Sequence, residues 1–356
     1  MDMTITQIKS VLKNPAKAAK YANLIYITDN KLTIQRHKYG RGFFYTLNEI
    51  KIKDKKSIKR FKGLVIPPAW KDVRITPLVN GHLQVVGRDE KNRKQYRYHP
   101  SWSKFRNETK FFKMVAFGNV LPKIRAQVEK DLEPEVMTKL KCLALIIKLM
   151  EETHIRIGNE YYAKRNKTYG LSTMRTKHLE LQNKDLRFHF IGKKGKEHSI
   201  SIQDQKLQKL VLECKEIPGW ELFQYYDQDN YHHSIDSGMV NDYISEISGV
   251  LFSAKDFRTW SGSKIFFMTL KELGLTNNKD EIKSNLKKAF KITSEALGNT
   301  PNVCKKYYVH PAIVSCYENG IIKKAFKEID NLSDSLFFSS AEQALLNIYQ
   351  KYTIEI

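Results

Sequence analysis

The sequence predicts an α+β chain: a small β-rich N-terminal domain over residues 1–103, then a larger, mainly helical domain over residues 104–356 that carries a three-stranded β element. Three observations predict it. Short apolar runs separated by turn signals dominate as far as Trp102. From Lys104 onward apolar residues recur at helical spacing, most clearly at Met137, Leu140, Leu143, Ala144, Ile147 and Met150. That pattern is interrupted once, by strand-like runs at 178–182, 186–191 and 197–202. A chain of 356 residues is long enough for two cores.

Taken in order, residues 1–55 are Lys-rich and extend the β-rich domain, with a helix expected over 4–22 and strand-like pieces at 24–27 and 43–47. The apolar run from Gly63 stops at Pro67-Pro68. Strands follow at 73–75 and 82–87, separated by an Asn80-Gly81 turn signal. The next stretch sets Arg93, Gln95, Tyr96, Arg97 and Tyr98 close together. Two readings fit it: an extended segment pressed into a duplex groove, or a solvated hairpin with alternating aromatics. Helices are expected at 105–117, 121–130 and 133–152 and, after the β element, from Gln205 to the C-terminus, including 237–250, 261–273, 282–297 and 341–352. Between 297 and 311, Thr300 can cap a short helix that starts on Pro301 and is stopped by Pro311.

The chain has 61 Lys+Arg against 38 Asp+Glu, a net charge of +23. The excess runs from Lys9 to Lys351, so the folded surface itself should be positive and its partner a large polyanion. The best apolar window, Leu143 to Met150, is too short to span a bilayer and contains Lys148. No signal-peptide pattern opens the chain, which points to a cytoplasmic protein with no membrane partner. Cys142, Cys214, Cys304 and Cys316 are far apart and in no metal-ligand spacing, so they read as reduced thiols. Walker-type loops, G-x-G-x-x-G and His-Glu-x-x-His are all missing from the sequence. Phosphate chemistry would therefore run on side chains, with no cofactor, metal or nucleotide.

The short helix supplies the reactive group. Tyr307 and Tyr308 sit beside Lys305 and Lys306, and a phenol near cations ionises below its ordinary pKa of about 10. A phenolate attacks phosphorus competently. Alone, the segment reads more simply as a basic surface turn with one tyrosine packed inward. Arg156 alone reads as a helix-end charge or a partner of Glu151, Glu152 or Glu160, and Gly192-Lys193-Lys194-Gly195-Lys196 as a solvated turn. Lys255-Asp256-Phe257-Arg258 reads as a cap with surface cations ahead of a helix, and Asn299 as a helix end after Gly298. Together they form an order: an Arg, a turn Lys, a Lys-x-x-Arg, a polar residue, and a Tyr nine positions later.

That order, with Val65-Ile66-Pro67-Pro68-Ala69-Trp70, Gly87-Arg88-Asp89, Arg93-Lys94-Gln95-Tyr96-Arg97-Tyr98-His99-Pro100 and Tyr308-Val309-His310-Pro311, resembles the type IB DNA topoisomerases of the compact poxvirus and bacterial kind. These are related in their catalytic domain to the tyrosine recombinases. The match runs from about Lys59 to Ile322. The resemblance implies a monomer that closes as a C-shaped clamp on double-stranded DNA, in the cytoplasm and on the nucleoid if the source is bacterial. It implies a pentad of Arg156, Lys193, Arg258, Asn299 and the nucleophile Tyr308, which precedes Val-His-Pro as the family's tyrosine does. The arginines would hold the nonbridging oxygens, Lys193 would protonate the leaving 5′-oxygen, and Lys255 would orient or relay that proton. Arg93, Gln95, Tyr96 and Tyr98 would face the major groove, and Tyr162 a phosphate near the cleaved bond. Poxvirus members have His where this chain has Asn299, and Lys where it has Tyr161, so their pyrimidine-pentamer preference does not carry over. Two other readings compete: a tyrosine recombinase, whose usual pattern has His where this chain has Lys255, and a non-catalytic basic DNA-binding protein.

Overall fold

Strand and helix signals resolve into two units in the computed structural model, which describes residues 10–11, 14–182, 185–249 and 252–352. One unit ends at Lys110 and the other spans Phe111–Tyr352. The first contains α1 (Pro15–Tyr21), β1 (Ile34–Tyr39), β2 (Gly42–Leu47), β3 (Ile50–Lys51), α2 (Lys55–Gly63), β4 (Lys71–Ile75), β5 (Leu83–Arg88) and β6 (Lys94–Tyr98). The strands form an antiparallel sheet in the order β3-β2-β1-β4-β5-β6. Ile34, Tyr45, Val73, Ile75 and Val85 bury one face of it against Phe61 of α2. The Lys-rich extension thus supplies three of the six strands among the described residues. The helix expected over 4–22 lies partly outside those residues; within them Ser10 and Val11 are helical and α1 begins on an Asn14 cap. The strand expected at 24–27 is reduced to a single bridge from Ile25 to Gly81.

The helical half departs from the sequence expectation at three boundaries, and by a two-stranded hairpin over residues 224–234 where helices were expected. Helix α3 (Pro100–Asp131) runs unbroken through Pro122, where two helices were expected. Phe117, Leu121, Ile124 and Val128 are all fully buried along it, and that burial outweighs the hydrogen bond Pro122 cannot make. Helix α4 (Lys139–Thr153) starts six residues later than its apolar spacing suggests, because the Thr138 side chain caps it at the Lys141 amide. It is followed by α5 (Glu160–Asn166), the β7 (Leu179–Gln182), β8 (Asp185–Ile191), β9 (Glu197–Ser201) sheet, α6 (Gln205–Lys215), the hairpin of β10 (Gln224–Tyr226) and β11 (His232–Ser234), and α7 (Ser237–Ser248). Helix α8 (Ala254–Leu273) starts seven residues earlier than expected: Ser253 and Asp256 form a capping box, with the Ser253 amide 2.8 Å from the Asp256 carboxylate. Then come α9 (Lys279–Ala296), α10 (Pro301–Tyr307), α11 (Pro311–Glu318), α12 (Ile322–Asn331) and α13 (Ser340–Gln350).

Glu342 on α13 ties the helices together. Its carboxylate, 1% exposed, accepts both terminal nitrogens of Arg125 at 2.8 Å and the Trp260 indole N–H at 3.1 Å. Burial alone would raise its pKa, but Arg125 and Lys264 hold it down to about 2. A depressed carboxylate stabilises the fold above its unfolded pKa of about 4.3 and loses that contribution as pH falls toward 2. Glu342→Gln should therefore cost about 3–5 kcal/mol in urea unfolding at pH 7, because Arg125 is left underpaired. The difference from wild type should shrink as the pH drops from 4.5 to 2.

Candidate active site

Arg156 lies just beyond α4, where His154 takes a left-handed conformation (φ 55°) and turns the chain out of the helix. Its carbonyl accepts from the Leu171 amide at 2.9 Å. Gly170 crosses so closely that a Cβ there would sit 2.4 Å from the same oxygen. The backbone under Arg156 is therefore fixed, and its guanidinium donates to Asn299 Oδ1 at 2.6 Å.

Asn299 owes its place to the end of α9. Gly298 is left-handed (φ 58°), and the Asn299 amide returns to the Ser294 carbonyl at 2.8 Å, a Schellman closure. With Oδ1 turned to Arg156, the amide presents Nδ2 as a buried donor with no partner. The sequence expectation of a simple helix end explains the turn but not this pairing.

Arg258 is the most buried of the predicted residues, 4% exposed on α8. It donates to the His154 carbonyl and, at 2.8 Å, to the Leu297 carbonyl, joining the ends of α4 and α9. Its Nε is buried and unpartnered, and its guanidinium carbon lies 5.5 Å from the centre of the Tyr308 ring. Burial and the neighbouring Arg156 pull its pKa down to about 10, so it remains charged at neutral pH.

Tyr308 caps the C-terminal end of α10, with its amide on the Cys304 carbonyl at 2.9 Å and its carbonyl accepting from Ser263 Oγ at 3.0 Å. Burial would raise the phenol's pKa. The positive charges of Arg258, Arg156 and Lys193 outweigh that and hold it below its ordinary value. Tyr307 instead is 40% exposed, with the Lys306 ammonium 5.4 Å from its ring. Lys306 thus accompanies the outer tyrosine, and residues distant in sequence, Arg258, Arg156 and Lys193, the inner one.

Lys193 starts the tight turn between β8 and β9, closed by the Gly192 amide on the Lys196 carbonyl at 2.7 Å. It is exposed, has no ion pair among the described residues, and lines one small cavity with Arg156 and His154. The five predicted residues are brought together by these contacts. Lys255 is exposed on the first turn of α8 and its side chain makes no described contact with the other five. Tyr162 is 48% exposed on α5, edge-on to Tyr161 at 5.5 Å, whose hydroxyl accepts from Arg165 at 2.7 Å.

In the first unit, Tyr96 and Tyr98 are each 43% exposed and stacked 6.0 Å apart on β6. Arg93 and Gln95 converge on Asp89, whose carboxylate accepts from Arg93 Nε at 2.8 Å and from Gln95 Nε2 at 2.9 Å. Sequence reasoning missed this clamp, and it missed Ser263 and His198, which touch the site region through backbone or packing and carry no motif of their own. Among the described residues no group of three His, Cys, Asp or Glu could hold a metal ion, and no helix is long and apolar enough to cross a membrane.

A β-sheet unit is followed by a helical unit in which a tyrosine lies among arginines and a hairpin lysine, the arrangement expected from the resemblance to type IB DNA topoisomerases. The comparisons narrow that class. Residues 99–336 match the family model described as eukaryotic DNA topoisomerase I, catalytic core, and residues 42–89 the model of the bacterial DNA topoisomerase IB N-terminal domain. A DNA topoisomerase 1B of Acanthamoeba polyphaga mimivirus is 31% identical over 297 residues, covering 80% of this chain and 88% of that protein. The DNA topoisomerase 1B of vaccinia virus (strain Copenhagen) is 25% identical over 238 residues, 65% of this chain and 71% of that protein. The chain belongs to the type IB DNA topoisomerase family.

Proposed function

We propose that this protein relaxes supercoiled double-stranded DNA by transient cleavage of one strand, with Tyr308 as nucleophile. The observation that carries the reading is the pair of buried, unpartnered donors, Arg258 Nε and Asn299 Nδ2, beside a phenol held below its ordinary pKa. A phosphodiester supplies the acceptors those donors lack. Tyr308 Oη forms a bond to phosphorus as the bond from phosphorus to the 5′-oxygen breaks; the phenolic proton leaves to water, and Lys193 Nζ delivers a proton to the departing oxygen. Charge gathering on the nonbridging oxygens is met by Arg156, Arg258 and the Asn299 amide. One phosphoester replaces another, so the 5′-hydroxyl can reverse the step without ATP once the DNA has rotated.

The two domains are residues 1–103, which bind DNA through Arg93, Gln95, Tyr96 and Tyr98, and residues 104–356, which carry the chemistry and contact phosphate through Tyr162. Asp89 preorganises Arg93 and Gln95, while Lys255 assists the proton transfer of Lys193. The protein acts as a monomer in the cytoplasm, on the nucleoid if it is bacterial. A net charge of +23 supports binding through phosphates. The test is relaxation of plasmids of either supercoil sign in EDTA without ATP, on DNA lacking recombination sites. Full relaxation at low salt, with affinity falling by about 10³-fold or more between 50 and 200 mM salt, is expected. A strict requirement for added divalent metal or for paired sites would sink the reading.

A further inference from the structure

We propose that His198 is a positioning residue for the Lys193 turn: its ring is wedged between that turn and the Gly298-Asn299 corner, and so sets where Lys193 meets the leaving oxygen. The inference rests on the reading of Lys193 as the general acid. His198 lies on β9, with its ring stacked on Phe190 of β8 at 5.0 Å and 16°. One edge abuts Gly192, where a Cβ would come within 2.6 Å of Cδ2. On the other side of Nε2, Gly298 approaches the same tip of the ring, where a Cβ would come within 2.5 Å of Cε1. Neither glycine can carry a side chain while the ring is there.

Gly192 is buried, whereas Lys193, Lys194, Gly195, Lys196 and Glu197 are all exposed. His198 therefore packs under the root of the turn from within the hairpin, and its contact with Gly298 joins that root to the end of α9. The same tip of the ring also packs on the residue before Asn299, which is bonded to Arg156. His198 also lines the small cavity shared by Arg156 and Lys193. Burial, with Lys196, Arg156 and Arg258 nearby, keeps the imidazole's pKa below its ordinary value. Near neutral pH it acts by shape and not by charge.

A general acid misplaced by about 1 Å loses rate by up to about 10²-fold. The test is single-turnover cleavage by the full chain of a duplex built around a site mapped with wild-type protein. One version has the natural 5′-oxygen at the scissile bond and the other a bridging 5′-sulfur. A thiol, with a pKa of about 8.5, departs as thiolate without a proton. In the sulfur duplex the phosphorus–sulfur bond breaks as the Tyr308 bond forms, and no acid is needed. His198→Ala should slow the oxygen duplex by about 10 to 10²-fold and the sulfur duplex by less than about threefold.

Equal slowing of both duplexes, or slowing of neither, overturns the proposal. Lys193→Ala runs beside it: if sulfur fails to restore that variant, the acid assignment falls and the role of His198 with it. If sulfur restores K193A but not H198A, only the His198 proposal fails. Should H198A not fold, His198→Gln keeps a planar group toward Gly192 and is read in the same two duplexes.

Discussion

Replacing Tyr308 by Phe is expected to abolish plasmid relaxation and covalent attachment to DNA, by at least about 10⁴-fold, with duplex affinity kept within a few-fold. The ring remains over Arg258, and the backbone bonds from Ser263 and to Cys304 remain, so the fold around position 308 has no reason to change. What is lost is the one atom that bonds to phosphorus. Tyr307→Phe is the matched control. That phenol faces outward beside Lys306, and its removal should leave the rate within about threefold. Denaturing gels of protein bound to labelled duplex, with filter binding for affinity, separate the two effects. Relaxation by Y308F at the wild-type rate would remove the nucleophile from the account.

Arg258→Ala should have the next largest effect, slowing single-turnover cleavage by about 10²–10³-fold. It removes a fixed cation beside the phenol, so the pKa of Tyr308 should rise. It also removes a donor aimed at the site and leaves the carbonyls of His154 and Leu297 without their partner. Each buried carbonyl so stranded costs about 1–3 kcal/mol, which a thermal melt reads separately from the rate. Arg258→Lys keeps a positive charge but cannot reach two carbonyls and the phosphate from one point, so it should recover little of the rate. Cleavage by R258A within threefold of wild type would contradict the role given to this residue.

Much of this was legible in the sequence because it rests on local chemistry. The β8–β9 turn announces itself through Gly192 and Gly195, and the α10 helix through Thr300 and Pro301, so the sequence alone places Lys193 on a turn and Tyr308 at the end of a short helix. The order of cations could be read as well, though not the bond between Arg156 and Asn299, which joins residues 143 positions apart. The departures have two causes, tertiary burial along α3 and local capping at the starts of α4 and α8. The buried stripe of α3 outweighs the break that Pro122 signals, and the Ser253–Asp256 capping box starts α8 ahead of the bound that apolar spacing predicts. His198 was silent because a histidine in a strand carries no signal; only the two glycines packed against its ring reveal its place.

The central claim is that one tyrosine, Tyr308, becomes joined to a DNA 3′-phosphate. The direct measurement is to denature the protein while it is acting on duplex DNA, digest the covalent complex and map the modified peptide by mass spectrometry. The account predicts a single adduct on Tyr308, joined to the 3′-phosphate, with a free 5′-hydroxyl on the other strand end. An adduct on Tyr307 or elsewhere, linkage through a 5′-phosphate, or no adduct under conditions that relax plasmid would contradict it.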